Sequence, residues 1–317
     1  MNKRTPGRDV RPRSRFPLAS SERGRAIEAA PIVGYGKSFA SFGEVVQGRT
    51  SAGEDFLVTL PIDMWSTCEL VCTPIKGPLV VECRLEKSRA VLYHVLAELG
   101  IDRGYHLQCD FTRNIPVGKG LSSSTADMLA TLRAVQEVFG FLFTESFISR
   151  IFAEIEPHDA LHFNSSVAYN HRAGRLMENF GHVPRFTIIA VDDGGTVDTV
   201  NYNRRLSFTE AITRRFDALL ARLRQAYAAQ DDHQIAACAT ESARIHFEQT
   251  GNALLSETLA KGDAFSPLGI VATHSGTCAG FLYDRDDDPR EIQRIAAGLH
   301  DAFGREVFVT RTLKLLV

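Results

Sequence analysis

The spacing of apolar residues gives the chain two textures. Toward the N-terminus, short β-type runs dominate: Ile32 to Phe39, Asp55 to Pro61, Thr67 to Thr73 and Leu79 to Cys83, with a glycine-rich turn region between the first two. Glu86 to Leu99 then carries apolar residues at helical spacing and stops at Gly100. A strand over Tyr105 to Phe111 leads through a loop to a helix over Ala126 to Phe139, and Thr144 opens another helix that ends before Pro157. Ser166 to Asn170 and Arg185 to Val191 read as strands. Beyond Asn201 the pattern changes to long amphipathic helices, Phe208 to Ala229 and His233 to Glu248. Strands over Gly269 to Thr273 and Gly280 to Tyr283, a helix over Pro289 to Phe303 and a strand over Glu306 to Thr312 close the chain. The pattern predicts an α+β chain of two lobes: a disordered basic tail over 1–30, an N-terminal domain over 31–180 and a C-terminal domain over 181–317.

Composition narrows the function classes. With 317 residues, 44% apolar and 23% charged, the chain can bury a sizeable core. A formal net charge of −2 gives no global attraction to nucleic acid or to membranes. No apolar run approaches the roughly 20 residues needed to span a bilayer. Asn2 to Arg25 is rich in Arg, Lys and Pro and lacks the apolar block of a secretory signal. The scattered Cys68, Cys72, Cys83, Cys109, Cys238 and Cys278 form no Cys-x-x-Cys unit, so reduced thiols and a cytoplasmic setting are expected.

The chemistry concentrates at residues 114 to 127, Asn-Ile-Pro-Val-Gly-Lys-Gly-Leu-Ser-Ser-Ser-Thr-Ala-Asp. Gly118 and Gly120 can take backbone angles closed to other residues, which lets successive N–H groups converge on one point. The helix that follows adds about half a positive charge at its N-terminus. Ser122, Ser123 and Ser124 can cap it and offer hydroxyls to a phosphate or a metal. A phosphate cradle is the first expectation, and a plain capped helix after a glycine turn fits the same residues. Downstream, Glu154, Glu156 and Asp159 put three carboxylates close together, suited to Mg²⁺ or to accepting a hydroxyl proton, or simply to a solvated helix end.

Two patterns lead elsewhere and fail. Gly36-Lys37-Ser38 ends like a P-loop, but Pro31 stands where that motif needs its first glycine. His158 and His162 have zinc-like spacing, yet the position beside His158 is Asp159 rather than Glu, and Pro157 starts the segment. Two more segments remain open between site and turn: Ala272 to Gly280, small residues around two glycines, and Ser38 to Gly48, where Glu44 and Gln47 lie in a strand-like run with glycines.

In order, these motifs resemble the GHMP kinase superfamily (galactokinase, homoserine, mevalonate and phosphomevalonate kinases). Its signature, Pro-x-x-x-Gly-Leu-x-Ser-Ser and a small residue, is matched by Pro116, Gly120, Leu121, Ser123, Ser124 and Thr125. Ser275 to Gly280 resembles its C-terminal glycine-rich motif, and Ala40 to Gly48 its N-terminal one. Within the superfamily the L-threonine kinase group of cobalamin biosynthesis is most similar, through Ala40 to Gly48, Glu156-Pro157-His158-Asp159 and Asn170-His171-Arg172. Phe42, His158 and Ala160 depart from that group's usual Cys, Thr and Gly and are expected beside the acceptor. Ser122 and Ala279 depart in the two glycine-rich loops.

The resemblance implies the two-lobed GHMP kinase fold, with an N-terminal ATP-binding β/α lobe and a C-terminal ferredoxin-like α/β lobe. It implies ATP and Mg²⁺ as cofactors. Pro116, Gly118, Gly120, Leu121, Ser122, Ser123, Ser124, Ser275 and Gly276 would hold the nucleotide. Ser124 with Glu156, or Glu154 as second choice, would hold the metal, and Asp159 with Lys119 would be catalytic. Glu44, Gln47, His158, His171 and Arg172 would bind the acceptor, with Arg172 on a carboxylate and Glu44 on an ammonium. The implied activity is phosphorylation of the side-chain hydroxyl of L-threonine or a related hydroxy amino acid. A kinase for a different, homoserine-like alcohol and a catalytically silent nucleotide sensor are the alternatives. The expected partners are small molecules, not nucleic acid or membrane, and a homodimer stays open.

Overall fold

A computed structural model describes residues 10–12, 30–195 and 207–314. The expected tail over 1–30 lies mostly outside the described residues. Two compact units emerge, and both borrow from the same long strands. Strand β2 (Ile32–Arg49) belongs to the first unit up to Ser38 and to the second from Phe39 on, while β3 (Asp55–Pro78) passes back at Met64/Trp65. The sequence pattern ended the first strand at Phe39 and broke β3 into shorter runs, because both change burial pattern along their length. The segment Ser38 to Gly48 is thus strand, with a kink at Gly43, whose φ is +48°.

The first unit comprises the described residues of 10–38, 65–114 and 124–158. Here β3 pairs antiparallel with β5 (Arg103–Arg113), Leu70 opposite Cys109, and β5 pairs parallel with the short β4 (Val80–Glu82). The helices are α1 (Glu86–Glu98), α2 (Ser123–Phe139) and α3 (Glu145–Ala153). Short β1 (Val10–Pro12) pairs antiparallel with β6 (Phe141–Phe143). Gly34 and Gly36 let α2 lie directly on β2: a Cβ at Gly36 would stand 1.8 Å from the Ala130 carbonyl oxygen. Buried Asp127 pins the start of α2, accepting from the Ser66 hydroxyl at 2.6 Å and pairing with Arg113.

The second unit comprises residues 39–64, 115–123 and the described part of 159–317. Strands β9 (Phe186–Asp192), β10 (Gly269–Ala272), β11 (Cys278–Asp284) and β12 (Glu306–Arg311) run antiparallel in the order β12-β9-β11-β10, and β10 meets β2 where Ala272 faces Glu44. The hairpin β7 (Val167–Asn170) and β8 (Arg175–Asn179) joins β3 through Leu57 and Val58. Helices α4 (Glu210–Ala228), α5 (Asp232–Thr250), α6 (Ala253–Phe265) and α7 (Pro289–Phe303) complete it. Ile189, Phe281, Leu299 and Phe303 centre one core cluster, and each such side chain contributes roughly 1.5–3 kcal/mol of burial. Gly269 brings β10 against α5, where a Cβ would stand only 2.3 Å from the Ala236 carbonyl oxygen. All six cysteines are buried free thiols. Among the described residues no helix is long and apolar enough to cross a membrane.

Phe42, His158 and Ala160, expected beside the acceptor, are all buried packing residues. Phe42 is 0% exposed and lies against Gly280 and Phe308. Ala160 clusters with Leu57, Phe163 and Tyr169. His158, in the first unit, approaches the Ser149 carbonyl at 3.3 Å and meets Phe152 edge-on.

Candidate active site

Three sequence-distant glycines bring the three motifs into one backbone stack in the second unit. The Gly43 N–H donates to the Gly120 carbonyl at 3.2 Å, and a Cβ at Gly43 would stand 2.5 Å from the Ala272 oxygen. A Cβ at Gly120 would stand 2.6 Å from Thr273 Cβ and 2.8 Å from Gly276 Cα. One at Gly276 would stand 2.2 Å from the Lys119 carbonyl oxygen. No side chain fits between these segments, so close approach requires glycine at all three, and the left-handed φ of Gly43 and Gly120 requires it there by conformation too.

Gly118, Gly120 and Ser122 have φ of +74°, +79° and +58°, which makes the loop before α2 a succession of left-handed turns. Such a shape turns successive N–H groups toward one side, the geometry of an anion nest. Ser122 accepts this conformation without glycine's freedom, a strain of roughly 1–2 kcal/mol. Buried Ile115 and Leu121 hold the loop down. Lys119 turns to Asp192, with its ammonium 2.5 Å from Oδ2. Burial alone would push the Asp192 carboxyl up, but hydrogen bonds from Lys119, Thr277 and the Gly194 N–H outweigh it and hold the carboxyl below its ordinary range. Pro116 and Ser275 lie on the two loop segments of this stack, half-buried.

Ser123 ends this segment of the second unit, and Ser124 continues the helix in the first. There the Ser124 hydroxyl donates to Glu156 Oε1 at 2.7 Å, and Lys87 pairs with the other Glu156 oxygen. Glu154 is turned away to His94 at 2.9 Å and Arg150 at 3.7 Å. Of the two expected carboxylates, Glu156 alone meets Ser124. Asp159, three residues on, is half-buried.

A small cavity in the second unit, with room for about one water, is lined by Gln47, Asp55, His171, Arg172, His246 and His274 among others. Asp55 accepts from Arg49 at 2.8 and 3.1 Å and from Arg172 at 3.0 Å, so two cations share one carboxylate. The Gln47 N–H donates to the Ser242 hydroxyl at 3.4 Å. The Gln47 amide oxygen is buried with no hydrogen-bond partner among the described residues. Glu44 does not reach toward Arg172. It is buried against His274, with Oε2 to Nδ1 at 2.9 Å, and His274 Nε2 continues to Ser242 Oγ at 3.1 Å. Burial pushes the Glu44 carboxyl up to about 8, opposed by the His274 backbone N–H, and pushes His274 down to about 4. Near neutral pH the contact is therefore a hydrogen bond between uncharged groups. Burial, then the neighbouring His274, holds His246 well below its ordinary value as well.

Asp192, Thr277, Asp55, Arg49, Ser242, His246 and His274 escaped the sequence reading as site residues. Only His274 and Thr277 carried a signal, by lying inside the small-residue segment Ala272 to Gly280.

Residues 86–168 match the GHMP kinases N terminal domain. The chain is 29% identical over 259 residues to an L-threonine kinase of Salmonella typhimurium, covering 78% of this chain and 81% of that one. It is 26% identical over 255 residues to an L-threonine kinase of Citrobacter freundii, covering 78% and 85%. Among solved structures it superposes on homoserine kinase from Cytophaga hutchinsonii with a TM-score of 0.67 at 14% identity, covering 93% of this chain and 97% of that one. Mevalonate kinase from Methanococcus jannaschii gives 0.64 at 13% identity, covering 92% and 100%.

Proposed function

We propose that this chain, similar to the GHMP kinases over residues 86–168 and to L-threonine kinases over most of its length, transfers the terminal phosphoryl group of ATP to the side-chain hydroxyl of L-threonine or a closely related hydroxy amino acid. The observation that carries this reading is the backbone stack of Gly43, Gly120 and Gly276, which holds the loop before α2 in a nest that a single Cβ would collapse.

In this reading Gly118 to Ser123 offer backbone N–H groups to the nucleotide phosphates, reinforced by the N-terminus of α2. Pro116, Leu121, Ser275 and Gly276 shape that nest. Ser124 and Glu156 fit Mg²⁺, which takes hard oxygen ligands, needs few from protein and completes its shell with water and phosphate. Bound Mg²⁺ would neutralise charge on the phosphates during transfer. Glu154, committed to His94 and Arg150, takes no part. Asp159 orients the acceptor hydroxyl and receives its proton. Lys119, expected to be catalytic, lies on the loop with its ammonium paired to Asp192.

The acceptor reading rests on the side chains gathered around Gln47, Asp55 and Arg172, which would have to part to admit an amino acid. Arg49 and Arg172 against Asp55 leave one net positive charge, which suits a carboxylate. The unsatisfied Gln47 oxygen calls for a donor, such as an ammonium. That task passes to Gln47 from Glu44, which is uncharged and spent on His274. His171 and the neutral His274 form the wall. Since Phe42, His158 and Ala160 are packing residues, their departure from the L-threonine kinase pattern bears on the core rather than on acceptor choice.

The test is ATP turnover by purified protein with Mg²⁺ and L-threonine, L-serine, L-homoserine or no acceptor, following ADP and product mass. Threonine-dependent ADP with a phosphothreonine mass supports the reading. Turnover with another alcohol only would move the acceptor assignment and keep the kinase.

A further inference from the structure

Lys119 carries the one formal charge on the loop from Ile115 to Ser122. It is held at both ends by the same two residues. Its carbonyl accepts the Thr277 N–H at 3.3 Å, and its ammonium lies 2.5 Å from Asp192 Oδ2. Thr277 and Asp192 are themselves joined, the Thr277 hydroxyl donating to Asp192 Oδ1 at 2.6 Å, and Oδ1 also accepts the Gly194 N–H at 3.0 Å. The result is a closed ring: Lys119 backbone to Thr277, Thr277 hydroxyl to Asp192, Asp192 to the Lys119 side chain. Asp192 is fixed from behind as the last residue of β9, in register with Cys278 of β11 and Glu306 of β12. Its side chain is 4% exposed and that of Lys119 18%, so the pair is shielded and solvent screens it little.

We propose that Asp192 is the positioning residue of the nucleotide loop: through Lys119 and Thr277 it locks the loop's backbone in the shape that meets phosphate. The proposal rests on the kinase reading of that loop. A loop rich in glycine is entropically costly to order, and a lock made before the ligand arrives removes that cost from binding. The pair also cancels the lysine charge locally, which leaves the aligned N–H groups as the main attraction. An unpaired Lys119 would instead attract phosphate from many loop conformations.

The two accounts give opposite results for Asp192→Asn. The amide keeps a carbonyl for Thr277 and Gly194 but gives up the charge that holds Lys119. Mg·ATP affinity, measured by calorimetry, should weaken about tenfold, the scale of one charged hydrogen bond. The acceptor KM should stay at its wild-type value, a split that a general loss of fold would not produce. Lys119→Met should weaken Mg·ATP to a similar degree, and the double variant no further, because both remove one interaction. Thr277→Val breaks the other side of the ring and should act in the same direction, which keeps a readout should Asp192→Asn fail to fold. Unchanged or tighter Mg·ATP binding by Asp192→Asn, or losses that multiply in the double variant, would overturn the lock. A wild-type protein that binds no nucleotide would instead strike at the kinase reading itself.

Discussion

Replacing Glu44 by Gln removes one buried proton while keeping a polar amide against His274. In the folded wild type, burial moves Glu44 from an ordinary 4.5 up to about 8 and His274 from 6.5 down to about 4. In the unfolded chain both return to their ordinary values. Between pH 4.5 and 6.5 the folded pair keeps its proton on Glu44 and the unfolded pair keeps one on His274, so the pair adds no slope to stability. Above 6.5 the unfolded pair is empty, while Glu44 keeps its proton until about 8. The folded state then binds more protons, and stability falls as pH rises. One proton corresponds to about 1.4 kcal/mol per pH unit, or about 2 kcal/mol across that window. Below 4.5 the unfolded pair gains a second proton that folded His274 resists until about 4, so stability falls on the acid side too. In Glu44→Gln only His274 titrates, at 6.5 unfolded and about 4 folded, so the variant loses stability as pH falls from 6.5 to 4 and is flat above 6.5. Urea unfolding followed by circular dichroism between about pH 6.5 and 8.5 should show the wild type losing about 2 kcal/mol relative to the variant. His246, held neutral beside His274, does not titrate in that range. Parallel profiles for the two proteins would refute a protonated Glu44.

The site makes further commitments. Asp159→Asn should lower kcat by about two to four decades in a steady-state ADP-release assay, and near-wild-type turnover would remove it from the base role. Glu156→Gln should raise the Mg²⁺ concentration needed for half-maximal turnover several-fold, whereas Glu154→Gln should leave it unchanged. Arg172→Ala should raise the acceptor KM roughly ten- to a hundredfold with the ATP KM preserved, and an unchanged acceptor KM would sink the carboxylate role. Gly120→Ala should cost roughly 1–2 kcal/mol for its left-handed backbone plus about 1–3 for overlap with Thr273 and Gly276. Gly53→Ala, also left-handed but with open space around it, should show only the first part in the same urea titration.

Periodicity located most of the helices. The predicted Glu86 to Leu99 and Pro289 to Phe303 coincide closely with α1 and α7. It missed α6, Ala253–Phe265. The glycine-serine loop before α2, the acidic segment and both flanking motifs stood out because each has its own local composition. Their convergence did not, since backbone packed on backbone leaves only a glycine at each contact, and turns use glycines too. The burial of Phe42, His158 and Ala160 was hidden for a related reason: a motif tells which positions are special, while burial depends on packing partners such as Phe308, Phe152 and Leu57. Asp192 ends a strand in sequence and shows its purpose only when Lys119 and Thr277 arrive beside it.

The glycine stack also limits how this protein can be re-engineered. Gly43, Gly120 and Gly276 occupy a shared volume with no side chain to adjust between them. A loop transplanted alone from a relative would bring a backbone path that its two neighbours cannot accommodate by changing rotamers. Chimeras should therefore exchange residues 40–48, 114–124 and 272–280 as one cassette. Libraries that randomise one segment while holding the other two constant will mostly sample misfits.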